Sequence, residues 1–268
     1  MKRPGFPDRL CRISMHALAA GLIGLGLGPA WAEDPDGPAL PPLPSLAQSP
    51  KNLTLLSVSS ATVAPHGMWF ASLGLTSKRG AVNDWDGSLA LGFGLGSAED
   101  AIGLQLTANV TSLTGGFGDS GYFQINASRR IVAGRAPLYL GAEANGLGTW
   151  GQADVLPVGA KAMLTWFPVL ETAPGNSYPL MFTAGYGSHL KNGLRDPAAF
   201  FGAGIGITRN FGASVSWTGE TVDLGASFTI DGIDGFNITT EVNDATDRLG
   251  SRRFTISFNF FRPGLFRS

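Results

Sequence analysis

In the stretch IGLQLTANVT (residues 102–111), Ile102, Leu104, Leu106, Ala108 and Val110 alternate with Gly103, Gln105, Thr107, Asn109 and Thr111. One side of the chain is apolar and the other is small or polar. A period of two with unlike faces predicts a β-strand rather than a helix. The same split recurs in both directions. Leu89, Leu91, Phe93 and Leu95 alternate with Ser88, Ala90, Gly92 and Gly94, and Val222, Leu224, Ala226, Phe228 and Ile230 alternate with Asp223, Gly225, Ser227 and Thr229. Near the end, Phe254, Ile256, Phe258 and Phe260 alternate with Thr255, Ser257 and Asn259.

Such segments fall at 68–76, 88–96, 101–111, 122–131, 138–147, 158–166, 179–187, 199–208, 212–218, 222–230, 236–242 and 253–261. They predict an all-β fold, an antiparallel transmembrane β-barrel of twelve strands over residues 66–268, with ten or fourteen as the alternatives. Short links (97–100, 132–137, 209–211, 231–235) mostly alternate with longer polar loops (77–87, 112–121, 148–157, 188–198, 243–252). That asymmetry is expected of a barrel with periplasmic turns and outer loops. Two links break it: 167–178 is long for a turn and 218–221 is short for a loop.

A soluble sandwich or lipocalin-like barrel has the same alternation, but its water-facing side must be charged. Here only 15% of residues are charged, against an average of about 25%. The second face is Gly, Ser, Thr and Asn, which suits a lumen. Trp69, Trp166, Tyr186, Trp217 and Phe260 fall on the apolar phase, placed for interfacial girdles. The 38 glycines include Gly92-x-Gly94-x-Gly96 and Gly202-x-Gly204-x-Gly206 within strands. No helix follows them, so a dinucleotide site is not indicated; they thin the inner face and let the sheet bend.

Residues 1–32 read as an export signal. Lys2, Arg3, Arg9 and Arg12 precede an apolar core at 17–27, and Ala30-Trp31-Ala32 offers a cleavage site. The only cysteine, Cys11, lies inside that segment. The remainder then has neither disulfides nor thiolate chemistry. It carries 15 basic against 19 acidic residues, which does not favour nucleic acid as a partner. Residues 33–65 are rich in proline and read as a periplasmic lead-in with partial polyproline character. Within it, 52–58 offers a short strand or a plug as the lesser alternative.

The inward phase holds few ionisable groups: Arg130, Glu143, Lys161, Asp223, Glu241 and Arg253. They are candidate lumen charges, either a selectivity constriction or, in the preferred reading, charge pairs that brace the interior. No catalytic, cofactor or metal constellation is legible. Ser188 and His189 are sequence neighbours and so face opposite ways on a strand; neither a GxSxG elbow nor an HExxH is present. Asp84, Asp86, Asp119, Asn243, Asp244 and Asp247 scatter oxygens over the expected loops without EF-hand spacing. They read as solvated charge, with divalent bridging to lipopolysaccharide the weaker reading.

The stretches DGSLALGFGLGSAEDAIGLQLTANVTSLTGGFGDSG (86–121) and ASVSWTGETVDLGASFTI (213–230) resemble barrel segments of YjbH-like outer-membrane proteins. The likeness spans about residues 85–260, and the chain is shorter than full members of that family. The resemblance implies a barrel in the bacterial outer membrane, with lipid and lipopolysaccharide around it and envelope polysaccharide or secretion proteins as partners. The expected function is a passive or export-associated channel. A non-transporting structural or assembly barrel is second, and an outer-membrane lipid hydrolase a distant third.

Overall fold

The computed structural model describes residues 51–77, 85–113, 116–173 and 176–266. The expected export signal and residues 33–50 of the lead-in lie outside these residues. The described chain forms thirteen strands: β1 (Trp69–Thr76), β2 (Asp86–Gly96), β3 (Gly103–Val110), β4 (Gly121–Val132), β5 (Leu138–Trp150), β6 (Gly159–Trp166), β7 (Val169–Ala173), β8 (Asn176–Lys191), β9 (Asp196–Gly206), β10 (Phe211–Trp217), β11 (Val222–Thr229), β12 (Phe236–Asn243) and β13 (Arg253–Arg262). Among the described residues the sole helical element is a 3-10 turn at Gly151–Val155.

Every pairing between these strands is antiparallel; an isolated parallel bridge joins His66 to Gly94. β1 pairs with both β2 and β13, and β6 pairs with β8 from Lys161↔Gly187 to Trp166↔Phe182. The ladder therefore closes on itself through twelve strands. Closure satisfies the backbone of every wall strand without leaving an open edge, the condition for crossing lipid with strands. β7 stands outside the ring and pairs only with β8.

Each of the twelve expected segments falls on one wall strand. The differences are at the ends. The long link at 167–178 holds β7, which turns back onto the start of β8 with Val169 opposite Pro179. The loop expected at 188–198 is mostly strand, because Lys191 pairs with Asp196 and leaves only a tight turn between β8 and β9. β5 likewise runs on to Trp150.

The two faces invert the arrangement of a soluble protein. Leu91 (48%), Phe123 (50%) and Val215 (45%) stand exposed on the outside, while Ser72 and Thr165 are fully buried inside. Outward aromatics gather at the end carrying the short turns (the turn end): Trp166 stacks on Phe182, while Phe211 meets Phe228 and Phe236 meets Phe260 with tilted rings. Phe123 and Trp150 pair near the opposite, loop end. Trp217, also near that end, lies under the Arg248 guanidinium. An apolar belt between aromatic rims around a polar interior is the surface that lipid requires.

The interior is not empty. Residues 51–65, expected as the tail of a periplasmic lead-in, run inside the barrel. The segment starts at the turn end, where Asn52 N–H donates to the Thr208 carbonyl (2.8 Å). It rises to Ser57, whose φ of 67° makes the reversal, and descends past Ala61 and Ala64 to His66 and β1. Inner-face glycines supply the room. A Cβ at Gly204 would strike the Thr54 carbonyl, and one at Gly94 the Ala64 carbonyl. Wall hydroxyls and amides replace the water that the segment's backbone gives up. Ala61 N–H donates to Thr165 Oγ1 (2.7 Å), Ala64 N–H to Gln105 Oε1 (2.9 Å), and Ser128 Oγ donates to the Ala61 carbonyl.

Leu55, Val58 and Ala61 also close an apolar cluster with the inward Met163, Met181 and Phe200. Ala64 and Met68 do the same with Phe70. Burying each large apolar side chain contributes about 1.5–3 kcal/mol. The turn-end half of the lumen is therefore a packed core, where the glycine-, serine- and threonine-rich wall implied open space. The plug offered at 52–58 as the lesser alternative is thus what the fold contains; the proline-rich composition favoured the lead-in reading, because Leu53, Leu55 and Leu56 gain their partners only from strands far along the chain.

Candidate functional site: the charged chamber of the lumen

Above the inserted segment the lumen widens into a chamber of about 180 Å³, floored by Ser57. Five of the six candidate lumen charges line it: Glu143, Lys161, Asp223, Glu241 and Arg253. The sixth, Arg130, sits at the turn-end rim and pairs with Glu99 (3.1 Å). It shares the inward phase of β4, but the strand has left the lumen by that point.

Glu143 on β5 and Lys161 on β6 are direct cross-strand partners, and Lys161 Nζ lies 2.8 Å from Glu143 Oε1. Asn145 donates to the same oxygen (2.9 Å), and Asn126 donates to Oε2 (3.3 Å). Glu143 is 5% exposed, so this pairing and its hydrogen bonds are what allow a carboxylate to stay there.

On β11–β13, Asp223 Oδ1 accepts from Thr221 Oγ1 (3.0 Å) and Asp244 N–H (2.9 Å). Asn243 Nδ2 donates to Asp223 Oδ2 (3.0 Å) and Glu241 Oε2 (3.3 Å). The two clusters face each other across the ring, with β8–β10 between β6 and β11 on one side and β4–β1 between β5 and β13 on the other.

The tip of the inserted segment joins them. Ser57 Oγ donates to Glu241 Oε2 (2.5 Å). Ser59 Oγ donates to Glu143 Oε2 (2.6 Å) and accepts from Lys161 Nζ (2.9 Å). Glu143, Lys161 and Glu241 thus hold a segment that belongs to no wall strand. Neither serine was singled out from the sequence; only their placement in the fold reveals the role.

No protein-family model matches the chain, and no curated protein matches it. Among solved structures, the chain is similar to an outer-membrane channel from Pseudomonas putida F1, at 9% identity over 75% of this chain and 98% of that one, with a TM-score of 0.41. It is also similar to a mutant porin of Rh. blastica, at 8% identity over 78% and 100% of the two chains, with a TM-score of 0.33. The barrel assignment rests on this chain's own ladders and faces.

His189, expected in an outer loop, lies on β8 and lines the chamber, with Nδ1 3.1 Å from the Leu194 carbonyl. The neighbouring Ser188 Oγ accepts from Ala160 N–H (3.0 Å). His66 stands exposed at the turn end, its Nδ1 accepting from Gly96 N–H (3.2 Å). Of the scattered acidic positions, Asp84 lies outside the described residues. Asp86 begins β2 and lines the chamber, and Asn243 points into the lumen. Asp244 Oδ atoms are occupied by the N–H groups of Arg248 (2.8 Å), Leu249 (3.0 Å) and Ser251 (3.3 Å). Burial raises the Asp244 pKa, but those donors more than offset it and hold the carboxyl below its usual value.

Proposed function

We propose that the protein is an outer-membrane channel whose lumen is shut at the turn end by its own residues 51–66. In this reading residues 1–32 direct export, the turn end faces the periplasm and the chamber opens outward. One observation carries it: the segment closing the lumen lies outside the ladder, held at its tip by hydrogen bonds to Glu241, Glu143 and Lys161. Such a segment can move without breaking a wall strand.

Planar-bilayer conductance tests this. The chain from residue 33 should show rare, small openings. Deleting 51–66 should enlarge them, and so should Ser57→Asp with Ser59→Asp, which sets like charge against Glu241 and Glu143. Silence from both variants, with barrels intact by heat-modifiable gel migration, overturns the channel reading. The packed turn-end core then favours the alternative, a non-transporting barrel serving an envelope polysaccharide system, in line with the YjbH-like stretches at 86–121 and 213–230.

A further inference from the structure

We infer that the free edge of β7 is a docking site for this chain's own residues 45–48 (Ser-Leu-Ala-Gln), which add a third strand to the β7–β8 hairpin. β7 pairs with β8 alone, so among the described residues its other edge has no strand beside it. The hairpin starts past the aromatic rim. Trp166 stacks on Phe182, and the pairing of Val169 with Pro179 carries the two strands onward to Ala173 and Asn176. At about 3.3 Å per residue, that puts them roughly 10–20 Å beyond the rim, in water. Val169 and Leu170, on opposite faces, are 48% and 47% exposed. Neither proline nor lysine blunts the strand (VLETA), so its edge is open to pairing with any extended chain.

The place where the chain arrives decides the occupant. Lys51 sits on this hairpin: its Nζ lies 3.4 Å from the centroid of the Tyr178 ring and donates to Asn176 Oδ1 (3.2 Å). Tyr178 and Asn176 are the ladder partners of Leu170 and Ala173. Within 33–50, Ser45–Ser49 is the one proline-free run longer than two residues, bounded by Pro44 and Pro50. Proline cannot donate to a ladder, so this run alone offers consecutive amides. It has as many residues as β7, which has 5. The free edge lies two strand spacings from β8, about 10 Å, a distance that about three extended residues cover. Residue 48 and those before it therefore reach it. The run is uncharged, and Leu46 can cover Val169 or Leu170. Tethered this close, it meets the edge at an effective concentration on the order of millimolar, ahead of any free strand.

Docking at β7 goes beyond the channel reading and is independent of conduction: a silent channel leaves it standing, and its failure leaves the channel standing. The chain from residue 33 has no cysteine, so introduced pairs report cleanly. Glu171→Cys is combined in turn with Ser45→Cys, Leu46→Cys, Ala47→Cys, Gln48→Cys and, as a control, Gly37→Cys, and each protein is oxidised in detergent micelles. Because Cα atoms more than about 7 Å apart are not bridged, a fixed register should give an intramolecular disulfide at one or two of positions 45–48 and little at the rest or at Gly37. The β7 amides that point away from β8 should exchange hydrogen about tenfold faster in Leu46→Pro with Ala47→Pro than in the chain from residue 33. Equal yields at all five positions, or no disulfide at any, overturns the docking. So does unchanged exchange in the proline variant. Disulfide-linked dimers through Glu171→Cys as the main product overturn it too, in favour of a second copy on the edge.

Discussion

Glu143 and Lys161 show what a single residue contributes inside this wall. Their pairing was legible in the sequence, since both fall on the inward phase of consecutive strands. Removing one partner leaves the other charge stranded. Glu143→Ala should therefore destabilise the barrel by about 3–5 kcal/mol. Glu143→Leu combined with Lys161→Leu should cost less, measured by urea unfolding in lipid vesicles. Equal costs would mean that the pair does not act as a unit. Asp244 offers a pH-dependent counterpart outside the membrane. Its folded pKa is lowered, so its contribution is full above the unfolded carboxyl value of about 4 and fades as pH falls through the folded pKa. The stability difference between wild type and Asp244→Asn should therefore shrink on acidification, and constancy between pH 7 and pH 2 would contradict the assignment. The serines at 57 and 59 were not legible, because a hydroxyl in a proline-rich stretch gives no sign of the carboxylate it will meet.

Within the strands, alternation is what the sequence states most clearly, and adjacent positions on β4 make it measurable. Ile125 stands on the outer face, 41% exposed between Leu106 and Ala144, while its neighbour Gln124 lines the chamber. Ile125→Arg should cost about 2–4 kcal/mol by placing a guanidinium in mid-bilayer. Gln124→Arg should cost far less, since it meets water and the acidic wall. Folding free energies in vesicles would decide it, and a larger cost at Gln124 would reverse the two faces. Element ends were less legible. β8 and β9 run beyond their expected limits because Lys191 finds Asp196, and β7 exists because Val169 and Leu170 find Pro179 and Tyr178. Each depends on a partner strand, not on the local pattern.

For the molecule as a whole, closure of β6 on β8 predicts resistance to detergent. With no free edge to fray, the barrel should migrate as a compact band in unheated gel samples and shift after boiling. A single position before and after boiling would argue against a closed barrel. The twelve wall segments, the two faces and five of the six inward charges were legible in the sequence alone, because a period of two is a property of consecutive residues and needs no partner; Arg130 keeps that phase but lies where β4 has left the lumen. The sequence offered a plug at 52–58 only as the lesser alternative; that the lumen is filled, and by which contacts, was decided by the tertiary structure. Ser57 meets Glu241 across 184 residues, and Asn52 reaches Ser227 across 175. Apolar residues in a proline-rich leader carry no address for those distant partners. It is the glycine-thinned wall, once closed, that makes burying them inside more favourable than leaving them in water.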